Sequence, residues 1–117
     1  MNLELMSSVY DFNYHISLII DKLIEKGDIP LAKSLYTSND RIVVYADEAE
    51  LLEFESKIEA VMKLLDVKLC ITEITWSFGK LVESGVIDQA ACDALKKEAT
   101  ALRAMLEQTI EELRAQY

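Results

Sequence analysis

The chain has 117 residues, a length that fits one domain with a real hydrophobic core. Hydrophobic residues make up 51%, which excludes a disordered chain, and 3 glycines with 1 proline are too few turn formers for a sandwich or barrel. The formal net charge of −9, from 21 acidic and 12 basic residues, argues against direct nucleic-acid binding and favours a basic protein partner.

The first residues, Met1 to Phe12, lack the basic start and apolar run of a signal peptide. No uncharged run approaches a membrane span. The expectation is a cytoplasmic protein with no membrane contact. Cys70 and Cys92 each fall inside an apolar helical pattern, so they read as core filler and not as a disulfide framework.

In chain order, residues 1–7 read as a loose or partly docked leader, with Ser7 or Ser8 as the cap of a first helix. Its stripe is Val9, Phe12, Ile16, Ile19 and Leu23, widened by Ile20 and Ile24, and Gly27 ends it. Pro30 suits the start of a second, short helix that turns Leu31 and Leu35 inward. Thr37-Ser38-Asn39-Asp40 reads as the loop after it. The next residues, 41–45, have strand composition but helical spacing. Asp47 with Glu50 has capping-box spacing, so a third helix is placed from Asp47, with Leu51, Phe54, Ile58, Met62 and Leu65 inward.

Residues 64–82 carry two apolar rows at helical spacing. One is Leu64, Val67, Ile71, Ile74, Phe78 and Leu81; the other is Met62, Leu65, Leu69, Thr72 and Trp76. A helix apolar on two sides needs neighbours on two sides. Gly85 ends this rod and Asp88 caps a last helix from about Gln89 to Ala115, with the seam Cys92, Leu95, Ala99, Leu102, Leu106, Thr109 and Leu113.

The segment Leu81 to Ile87, followed by Leu95-Lys96-Lys97, resembles the helix–glycine–helix pattern of short C-terminal oligomerisation modules. That resemblance implies a tight helical hairpin and self-association.

The fold expected is all-α: a single helical domain over residues 1–117, a bundle of about four helices with a long C-terminal antiparallel hairpin. The alternative is an α+β chain with a small β-α-β unit from residues 41–76. The surplus apolar surface predicts a homodimer, with Trp76, Leu102, Leu106 and Leu113 as dimer or core seam.

Candidate chemistry is sparse. His15 is the only histidine, so it lacks the partners of a metal centre or triad and reads as a boundary residue bonded to a neighbouring helix. No glycine-rich phosphate loop and no basic cluster is present. No catalytic residue, metal or cofactor is expected. The acids of residues 47–59 are the most distinctive charged feature, and Glu48, Glu55 and Glu59 fall on one outward face of a continuous helix. Tyr10 and Tyr14, four apart and off the main stripe, are candidate interface anchors. The functional expectation is a non-enzymatic protein-binding module, a small acidic inhibitor, immunity-like or adaptor protein acting on a basic partner, such as a nucleic-acid-handling protein. The alternatives are a homo-oligomerisation module and a small-ligand binder in a dimer groove using Tyr14, His15 or Trp76.

Overall fold

A computed structural model describes all 117 residues. It is all-helical: α1 (Leu3–Lys26), α2 (Ile29–Leu52), α3 (Lys57–Thr75), the short α4 (Phe78–Glu83) and α5 (Gln89–Arg114). Four long helices form a rod of 47 × 23 × 20 Å. Each long helix packs on two others: α2 lies between α1 and α3, and α5 closes the ring between α3 and α1. Short connections reverse the chain each time, so α3–α4 and α5 form the antiparallel C-terminal hairpin. No strand is present: residues 41–45 and 67–75 are helical, and Trp76 is the C-cap of α3.

Local chemistry sets the ends. Asn2, not Ser7 or Ser8, caps α1, its Oδ1 accepting from the Glu4 N–H at 2.7 Å. The leader is therefore helical from Leu3, and Leu5 and Met6 are already buried. Gly27 ends α1 at φ 82°, and Asp28 caps α2 by accepting from the Leu31 N–H. Gly85, at φ 73°, and Asp88, which accepts from the Ala91 N–H at 2.7 Å, repeat the arrangement before α5. Lys26 ties the two turns together by donating to the Ser84 carbonyl at 2.9 Å.

The loop expected at Thr37–Asp40 is absent: α2 runs straight through it. Ser38 and Asn39 are buried there, and the Ser38 hydroxyl and the Asn39 amide nitrogen bond to neighbouring helices, while Asn39 Oδ1 has no partner. Ser38 Oγ donates to Glu73 of α3 at 3.1 Å. Asn39 Nδ2 donates to the Asn13 carbonyl and to Ser17 Oγ, both at 3.1 Å, while Asn13 Nδ2 donates to the Asn39 carbonyl at 2.8 Å. Tertiary partners override the turn preference of these residues.

The break between α2 and α3 falls at residues 53–56 instead of before Asp47. Ser56 caps α3, accepting from the Glu59 N–H at 3.3 Å. Ser56-Lys57-Ile58-Glu59 has the same capping-box spacing as Asp47 with Glu50. Asp47 is mid-helix, where it accepts from the Tyr10 hydroxyl.

One apolar core fills the bundle. The first row of α3 and α4, from Leu64 to Leu81, is buried throughout, as are Phe12, Ile16 and Leu23 of α1 and Leu35 and Ile42 of α2. The α5 seam faces the same core, including Leu102, Leu106 and Leu113. These three leucines are therefore core seam and present no surface to a second chain.

Candidate interaction surface

The second row of α3 is the exception to this packing. Ile58, Met62, Leu65 and Leu69 are exposed, and Trp76 is 73% exposed. Leu51 and Phe54, expected inward, stand exposed at the α2–α3 turn. The reason is angular. A helix in a four-membered ring touches two neighbours and the centre, and α2, α5 and the core already occupy that arc of α3. The remaining arc holds Ile58, Met62, Leu65, Leu69, Thr72 and Trp76, which step by four and three along the chain. That is a 3.5-residue repeat, the spacing of a coiled-coil seam.

Its two edges differ. On the side toward α2 stand Glu59, Asp66 and Glu73. Behind them Lys63 pairs with Glu48 at 2.7 Å and lies 5.1 Å from the centre of the Tyr45 ring. The Glu48 contact raises the Lys63 pKa. On the side toward α5, Lys68 pairs with Glu107 at 2.8 Å, which lowers the Glu107 pKa, and Arg103 donates to Thr72 Oγ1 at 3.4 Å. Beyond Thr75 the helix stops: Ser77 N–H bonds back to the Ile74 carbonyl at 3.0 Å, and Trp76 sits at that corner.

The residues singled out in the sequence do not form one site. Glu48 is on α2 and neutralised by Lys63, Glu55 is exposed in the α2–α3 turn, and Glu59 is in the first turn of α3. The break at 53–56 removes the single helical face on which they were placed. Tyr10 and Tyr14 are exposed on α1, which lies diagonally across the bundle from α3. The Tyr10 hydroxyl is engaged by Asp47. That hydrogen bond, then burial, then the negative charges of Asp47 and Glu50 push its pKa from 10.0 to about 12.

His15 Nδ1 lies 2.8 and 2.9 Å from the two carboxylate oxygens of Glu98 on α5, a boundary contact between helices. Both cysteines are buried, and burial, reinforced by the nearby Glu73, pushes the Cys70 thiol up to about 11. No group of three or more His, Cys, Asp or Glu side chains is placed to hold a metal ion. A separate apolar groove of about 390 Å³ lies between the end of α1 and the start of α2, lined by Ile20, Ile24, Ile29 and Tyr36 with Lys33 beside them. Tyr14, His15 and Trp76 do not line it. No helix is long and apolar enough to cross a membrane.

No protein-family model matches the chain, and no curated protein matches it. Among solved structures it is similar to a Bacteroides thetaiotaomicron protein of unknown function from the S23 ribosomal protein family. The TM-score is 0.81 at 17% sequence identity, over 91% of this chain and 97% of that one. At that identity the likeness is one of fold alone.

Proposed function

We propose that this chain is a non-enzymatic protein-binding module, of the adaptor or inhibitor kind, that engages a protein partner through the outer face of α3. One observation carries the reading: a row of large apolar side chains, Ile58, Met62, Leu65, Leu69 and Trp76, stays in solvent along the whole outer face of α3. A contiguous exposed apolar patch on a small protein marks an interaction surface. The net charge of −9 supports a partner of opposite sign.

The test is capture from cells of origin with in-cell crosslinking, comparing the native chain with a Leu65→Ser, Leu69→Ser double variant. Both positions are exposed, so the variant keeps its helical circular dichroism. The expected result is loss of the crosslinked partner. An identical set of crosslinked proteins from the two chains removes the α3 face from the account. A second variant, with Glu48, Glu55 and Glu59 changed to Lys, reports separately on the acidic residues.

The same exposed row also supports self-association, in which the module acts as a homodimer. Sedimentation that resolves a monomer at micromolar concentration, with the stripe intact, eliminates this second reading.

A further inference from the structure

We propose that the occupant of the α3 face is an amphipathic helix of another protein, with leucine-like residues at heptad spacing and lysine or arginine along one edge. The inference rests on the binding reading above and names the chemistry of the partner.

The shape of the occupant follows from spacing. The exposed row advances by four and three from Ile58 to Trp76, through Met62, Leu65, Leu69 and Thr72. A straight row at 3.5 residues per turn matches a partner that repeats at the same interval, which is a helix wound against α3. An extended strand repeats every two residues and would meet the row out of phase.

The charge of the occupant follows from the edges. Glu59, Asp66 and Glu73 line the α2 side over the same length as the row, with Glu59 and Asp66 exposed. The other edge carries Lys57, Lys68 and Arg103 against Glu107, and Lys68 and Arg103 are already engaged by Glu107 and Thr72 of the same chain. A second copy of this chain fits poorly. Laid antiparallel, it sets acidic edge against acidic edge. Laid parallel, it offers an edge on which Lys68 and Arg103 are already committed within their own chain. A helix with a basic edge answers the exposed Glu59 and Asp66 while its apolar seam covers the row.

The experiment uses the full chain and two designed three-heptad peptides without tryptophan. Each has leucine at the seam positions. One carries lysine along an edge and the other carries glutamate at the same positions. Trp76, the only tryptophan, is 73% exposed, so its emission reports coverage directly. The lysine peptide is expected to shift Trp76 emission to the blue, with affinity falling as salt rises. Glu59→Lys with Asp66→Lys is expected to weaken that binding at least tenfold, and Leu69→Ser to abolish it. Equal binding of the two peptides overturns the basic occupant while leaving the α3 docking face in place. A concentration-dependent blue shift of the protein alone, with doubled mass in sedimentation, assigns the face to a second copy and overturns the inference. Failure of both peptides to bind a chain that stays monomeric overturns the inference and the docking reading together.

Discussion

Two helices of this bundle carry apolar rows of the same quality, and they meet opposite fates. In α5 the seam from Cys92 to Leu113 is spent on the chain's own core. In α3 the row through Leu64, Ile71 and Ile74 is buried, and the row through Met62, Leu69 and Trp76 is left in solvent. Periodicity says which residues share a face. It does not say which of two faces the bundle will use. Helix count decides that: a ring of four long helices gives each member two neighbours, and a second apolar row becomes surplus surface.

The contrast can be broken by mutation, and the largest effect belongs to the buried seam. Leu106→Ala removes a fully buried side chain and is expected to cost about 2–5 kcal/mol in chemical denaturation. A loss no greater than that of an exposed position would mean that α5 is not packed as described.

Next in size is the polar cluster between α1 and α2. Asn39→Ala removes the buried amide that donates to the Asn13 carbonyl and to Ser17 Oγ, with an expected cost of about 1–3 kcal/mol. Serine and asparagine at 38 and 39 would tolerate alanine freely if they lay in a surface loop, so the measurement separates helix from loop.

The exposed row should respond least. Leu69→Ser is expected to change stability by less than about 0.5 kcal/mol, because the side chain has little to lose on folding. A cost above about 1.5 kcal/mol would show that the row is covered in solution, by a second copy or otherwise.

The α1–α2 contact at Tyr10 has its own signature in pH. Its folded pKa lies near 12 against 10.0 for the ordinary group. The stabilisation from this hydroxyl is therefore complete below pH 10 and is lost as pH rises from 10 toward 12. Ultraviolet titration of the 5 tyrosines should show one late component, absent in Tyr10→Phe. If the native and Tyr10→Phe curves differ only by one ordinary tyrosine, the Asp47 hydrogen bond does not persist in solution.

Much of the fold is written locally. Gly27 with Asp28 and Gly85 with Asp88 mark two helix boundaries through backbone conformation and capping, and both are where the spacing puts them. The α5 seam is equally plain. The misreadings share a cause: the deciding partner is distant in sequence. Asn39 looks like a turn residue until Asn13 and Ser17 are brought beside it. Asp47 looks like a cap until Tyr10 claims it. The Ser56 cap is the exception: Ser56 with Glu59 and Asp47 with Glu50 share the capping-box spacing, and spacing alone does not choose between them. The candidate surface was legible as a set of residues and illegible as a surface, since only the arrangement of neighbours leaves Met62 to Trp76 outside.

The paired asparagines have a consequence for uniqueness. Leucine-type seams are forgiving along their axis: sliding one helix past another by a turn, about 5.4 Å, exchanges one aliphatic contact for a similar one. Asn13 and Asn39 answer each other's carbonyls in a single alignment. They work as an indexing pin, and a chain in which both were leucine would be free to settle at several offsets of α1 against α2.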